Sequence, residues 1–94
     1  MSDLQELYGR DQLMVVAAVR YSLGRSSSIV SVCADWLLKI WPALDRSTQM
    51  IVSRDIEDAF KRDAEDRALG RPHTALGMDI DRIHWQRVRV LWAK

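Results

Sequence analysis

Hydrophobic positions recur at helical spacing through almost the whole chain. No stretch sustains period-two alternation of apolar and polar residues. That pattern predicts an all-α protein without a sheet. Four segments carry it. The first runs from about Asp11 to Leu23, with Asp11 as the cap and an earlier turn at Ser2 to Tyr8 compatible with the pattern. Leu13, Met14, Val15, Val16, Ala17, Ala18 and Val19 make this segment apolar on almost every side. Such a helix is expected at the centre of the core. Gly24 stands where a left-handed residue ends a helix.

The second segment follows the candidate caps Ser26, Ser27 and Ser28 and covers Ile29 to Trp41. Its stripe is Ile29, Val32, Cys33, Trp36, Leu37 and Ile40, and Pro42 disfavours continuation. The third starts near Asp45 or Ser47, with Val52, Ile56, Ala59 and Phe60 as its apolar face. Asp63 falls on the extension of that face. The segment Lys61 to Leu69 still favours a helix, with Glu57–Lys61, Asp58–Arg62 and Asp63–Arg67 at four-residue spacing. The third helix is therefore expected to extend beyond the core, until Gly70-Arg71-Pro72 stops it. After a loop through His73 and Gly77, the last helix is expected from about Ile80 to Ala93, capped by Asp79 or Asp81. Its stripe is Ile80, His84, Val88, Leu91 and Trp92. The architecture is a compact bundle of four main helices in one domain, residues 1–94.

Composition narrows the function. Hydrophobic residues make up 48% of the 94, enough for a core and too many for a disordered tail. The net charge is +1, which argues against a dedicated nucleic-acid binder. One cysteine, Cys33, and two histidines give neither a disulfide framework nor a structural zinc set. The longest apolar run, Leu13 to Val19, is too short for a bilayer, and the first residues are not a basic signal-peptide start. An intracellular, cytoplasmic protein is expected, with no cofactor and no metal.

Arg20 falls within the Leu13, Val16 and Leu23 stripe, so a buried guanidinium with a carboxylate partner is expected. Asp35, Asp55, Asp79 and Asp81 are the candidates. The alternative is an anion site where Arg20, Arg25 and the amides of Ser26 to Ser28 converge. His84 reads as a satisfied side chain on an apolar face, and Cys33 as a packed thiol. The acids Asp55, Glu57, Asp58, Asp63, Glu65 and Asp66 alternate with bases and read as a solvated face. There is no G-x-S-x-G elbow, P-loop or dinucleotide fingerprint. Of four tryptophans, Trp36 and Trp92 are expected in the core. Trp41 and Trp85 are expected toward stripe edges, where tryptophan and arginine serve as interface hot spots.

The stretch Arg20-Tyr21-Ser22-Leu23-Gly24-Arg25, with Val30, Trp41 and Leu44, then Arg54-Asp55-Ile56, then Gly77-Met78-Asp79-Ile80-Asp81 and Trp85, resembles a group of small proteins. These are encoded by bacteriophages and prophages and begin with an RYALGR-like motif. The sequence departs from that pattern in the serines after Arg25 and in Lys61 to Thr74, which looks like an insertion. The resemblance implies a phage accessory protein that binds a host complex, as anti-CRISPR inhibitors and polymerase modulators do. No established catalytic residues carry over.

The expected function is thus binding: a phage- or prophage-derived module that inhibits or modulates a bacterial protein complex. Trp41, Arg54, Arg62, Arg67, Arg71 and Trp85 are the expected contact residues. The extended third helix is also compatible with a homodimer. The alternative is a helix-turn-helix-like DNA-binding protein, with Trp41 to Arg46 as its turn and Arg46, Arg54, Arg62, Arg82, Arg87 and Arg89 on phosphates. The interleaved acids of the third helix count against it. An enzyme using Arg20 and His84 is the weakest expectation.

Overall fold

A computed structural model describes residues 11–25 and 27–93. Among them lie four α-helices and no strand: α1 (Asp11–Ser22), α2 (Ser27–Ile40), α3 (Arg46–Ala68) and α4 (Asp79–Arg89). The early turn at Ser2 to Tyr8, and capping by Asp11 and Ser26, fall outside the described residues and side chains.

Local chemistry accounts for the helix boundaries. Gly24 ends α1 with a φ of 79°, a left-handed conformation that costs other residues more than glycine. Pro42 sits in a single 3-10 turn, Trp41–Ala43, and the backbone then becomes extended at buried Leu44. Asp45 caps α3: its carboxylate accepts the Thr48 amide at 2.8 Å, which also holds its pKa below the usual carboxylate range. The Asp45 amide donates to Oε1 of buried Gln12 at 2.8 Å, tying the start of α3 to α1. Met78 is the N-cap of α4, and Asp81 reaches back to accept the Met78 amide at 3.0 Å.

Helix α1 packs against α3 and α2, and α2 packs most extensively against α4. Side-chain links from Arg82 and Arg89 of α4 to Asp63 and Glu57 of α3 close the ring, in the order α3–α1–α2–α4. The core between them holds Val15, Val19, Val30, Leu37, Ile40, Val52, Ile56, Leu76, Trp85 and Val88, all fully buried. Helix α3 continues past that core to Ala68, as its polar second half predicts.

Three stripes differ from the periodicity expected. Helix α1 buries only one side: Val15, Val16 and Val19 are inside, while Leu13 and Met14 are exposed. In α2 the buried set is Val30, Cys33, Ala34, Leu37 and Ile40, and Val32 faces out. In α4 the buried set is Asp81, Trp85 and Val88, and Ile80 faces out with His84 half-buried. Each helix carries apolar residues over a wide arc, so spacing alone leaves its rotation about its own axis open.

Candidate interaction surface

The charged side chains are mostly spent on the fold. Asp63, expected on a solvated face, is 3% exposed. Its Oδ2 accepts Arg82 Nε at 3.0 Å and lies 3.3 Å from Arg67 Nε, and its Oδ1 accepts the Leu76 amide at 3.4 Å. Arg67 Nη2 and Arg82 Nη1 both donate to Asp79 Oδ1 at 2.6 Å. Burial pushes the Asp63 carboxyl up. The hydrogen bonds from Arg82 and Thr74, the Arg82 charge and the Leu76 amide outweigh it and hold the group below its ordinary range. Asp79 is lowered as well, first by its hydrogen bond from Arg82 and then by Arg67. Asp63 is thus the continuation of the apolar stripe by other means, covered by the loop that carries buried Leu76.

The neighbouring acids follow suit. Asp66 accepts Arg71 at 3.0 Å and the Ala75 amide at 3.1 Å. Glu57 takes Arg89 through two bonds of 2.8 Å and Trp92 Nε1 at 3.0 Å, and its pKa is lowered first by the Arg89 hydrogen bond. The expected Glu57–Lys61 pair gives way to this link between α3 and α4. Asp63–Arg67 forms at the expected spacing.

These placements correct several expected site residues. Trp85 is fully buried and Trp41 is 9% exposed, so neither lies at a free edge. Trp36 and Trp92 are the half-buried pair, with Trp92 5.4 Å from Trp41 between ring centroids. The order is inverted because α2 and α4 sit rotated from their predicted phases. Arg67 and Arg71 are held by Asp63, Asp79 and Asp66, whereas Arg54 and Arg62 make no ion pair among the described residues. Arg20 is exposed, because it lies on the flank of α1 opposite its groove side, and it pairs with Asp55 on α3 at 2.7 Å. That hydrogen bond raises its pKa. Arg25 instead donates to the Tyr21 carbonyl at 3.0 Å and lies 4.5 Å over the Tyr21 ring. The two arginines therefore do not converge on an anion site. Nor does Arg20 meet His84, which contacts Arg87 at 3.1 Å beside Asp35.

The uncommitted surface lies on α1 and α2. Met14 is 68% exposed, Tyr21 57% and Val32 70%. Met14, Ala17, Ala18, Tyr21 and Ser22 fall on one arc of α1, without a charge among them. Ala18 and Ser22 then form one wall of a groove of about 460 Å³, and Ile29, Val32, Cys33 and Trp36 the other. Burial pushes the Cys33 thiol up, against a hydrogen bond with Ser22, so at neutral pH the groove floor carries no thiolate. A second exposed apolar set, Ile80 and Ile83 on α4 with Val90 at its C-cap, is interrupted by the Arg87–Asp35 pair. Sequence reasoning missed the first face because it assigned Leu13, Met14 and Val32 to the core.

Among the described residues no group of three His, Cys, Asp or Glu side chains is placed to hold a metal ion. No helix there is long and apolar enough to cross a membrane. The chain matches no protein-family description, no curated protein and no solved structure.

Proposed function

We propose that this protein is an interaction module of phage or prophage type, which binds a bacterial protein complex in the host cytoplasm and inhibits or modulates it. The observation that carries the proposal is the uncharged face of α1 and α2, with Met14, Tyr21 and Val32 exposed around an apolar groove. Contiguous exposed apolar surface on a small domain marks a contact site for another macromolecule. Its hot spots are the Tyr21 and Trp36 rings, which replace Trp41 and Trp85 in that role. The resemblance of Arg20 to Trp85 to phage-encoded proteins supports the setting.

The reading works by occlusion, not chemistry: the module covers a surface that the host complex needs. Affinity capture from bacterial lysate, compared between the native chain and Val32→Asp, tests it. Val32 is exposed, so the substitution leaves the fold intact. A stoichiometric, nuclease-resistant partner captured by the native chain and lost with Val32→Asp is the expected result. Capture indifferent to Val32→Asp, or nucleic acid as the only recovered species, sinks it.

One observation favours the DNA-binding alternative. Arg46, Arg54 and Lys61 share the outer side of α3 and make no ion pair among the described residues. Against it, Arg82, Arg87 and Arg89 already face Asp63, Asp35 and Glu57. Salt-dependent duplex binding that Arg54→Glu abolishes would promote it.

A further inference from the structure

Two cations without an ion pair among the described residues flank the α1–α2 groove. Arg25 lies in the connection between Ser22 and Ser28, both of which line the groove. It is exposed and bound to Tyr21, with no acid partner among the described residues. At the other end Lys39 follows Trp36 by three residues on α2, exposed and also without an ion pair among the described residues. The acid nearest Lys39 on that helix, Asp35, is taken by Arg87 at 2.7 Å. The result is an apolar trough closed by a cation at each end. From Ser28 to Trp36 the trough follows α2 for about 12 Å, and Lys39 lies about 18 Å along the axis from the start of α2 at Ser27, which Arg25 precedes.

Resting on the interaction reading above, we infer that the groove takes an amphipathic helix of a partner protein whose apolar stripe is bounded by acidic residues. A helix of three to four turns spans the distance between Arg25 and Lys39, as an amphipathic helix does when it docks in a groove. Its leucine-type side chains at positions i, i+4 and i+7 enter the space between Ala18 and Val32. A carboxylate near each end meets Arg25 and Lys39. A second copy of this chain fits less well. Two-fold pairing apposes identical patches, and it brings the rim cations of both copies together.

The test uses the full chain and two labelled synthetic helices. Both carry leucine at i, i+4 and i+7, and one has glutamates at its ends where the other has lysines. Fluorescence anisotropy is expected to give roughly tenfold tighter binding of the glutamate-ended helix. The double substitution Arg25→Glu, Lys39→Glu should reverse the preference, and Val32→Asp should abolish both. Equal binding, no binding, or a preference that survives the charge reversal overturns the inference. So does a concentration-dependent dimer of the free chain that Val32→Asp dissociates, which would make a second copy the occupant. Tighter binding of the glutamate-ended helix after Leu4→Asp, Leu7→Asp would make the chain's own first residues the occupant, and overturns it too. If Val32→Asp still abolishes capture from lysate while the two helices bind alike, this inference falls and the interaction reading stands.

Discussion

Helix α4 lies between two neighbours that hold it with different chemistry. Toward α2 its buried Trp85 and Val88 join the core cluster that includes Val30, Ala34 and Leu37. Toward α3 the links are Arg82 to Asp63, Arg89 to Glu57 and Asp79 to Arg67. Apolar burial is strong and carries no direction, so it attracts α4 without fixing which residues turn inward. Charge-assisted hydrogen bonds demand position. With Asp81 bound to the Met78 amide and Arg82 forked onto Asp63, the rotation of α4 is set, and Trp85 enters the core in place of His84. The first boundary supplies most of the stability and the second supplies the register.

Predictions follow from that contrast, the largest first. Trp85→Ala leaves a cavity in the apolar boundary and is expected to cost about 3–5 kcal/mol in urea unfolding. A loss under about 1 kcal/mol would mean that Trp85 is not in the core. Asp63→Asn leaves the Arg82 guanidinium without its buried counter-charge, and thermal and urea melts should report a loss of about 3 kcal/mol. Adding Arg82→Leu to Asp63→Asn should recover most of that loss, because no guanidinium is then left unpaired and the amide oxygen at position 63 still accepts the Leu76 amide. If the double variant is no better than Asp63→Asn, the ion pair is itself a main source of stability.

Acid separates the two boundaries without a mutation. The folded-state pKa values of Asp63, Glu57 and Asp79 are depressed. Their stabilisation is complete above the unfolded carboxylate values, near pH 4, and is lost as pH falls through the lower folded values. Stability should be flat from about pH 5 upward and fall below about pH 4, with amides of α4 the first to lose exchange protection. An acid limb that is unchanged in Asp63→Asn would remove Asp63 from this account. The smallest effect is expected at Arg87→Ala. Its pair with Asp35 is exposed on both sides, and the change in a double-mutant cycle should stay below about 1 kcal/mol.

The helices and most of their ends were legible because they depend on local chemistry; α4 is the exception, capped by Met78 in place of Asp79 or Asp81 and ending at Arg89 instead of Ala93. Asp45 before α3, Gly24 after α1 and Pro42 after α2 act within a few residues of themselves. Rotation was not legible. Val32 and Ile80 have the right hydrophobicity and spacing for the core, and only partners distant in sequence turn them outward. Asp63 was the informative misfit. A carboxylate in line with Ile56 and Ala59, on a helix that continues, signals a buried acid in need of cations, and Arg82 supplies one. The candidate surface stayed hidden for the same reason, since Met14 and Val32 were counted as core. The phage setting rests on short motifs that geometry does not address.

The pairing of α2 with α4 has a consequence for synthesis. The main cover of α2 is the last of the four helices to leave the ribosome. Until residues 79–93 emerge, Val30, Ala34 and Leu37 lack the helix that packs most extensively on them, while α1 and α3 can already associate. The nascent chain is therefore sticky late, not early, and a stall within α4 releases a product with two open apolar faces on α2 instead of one.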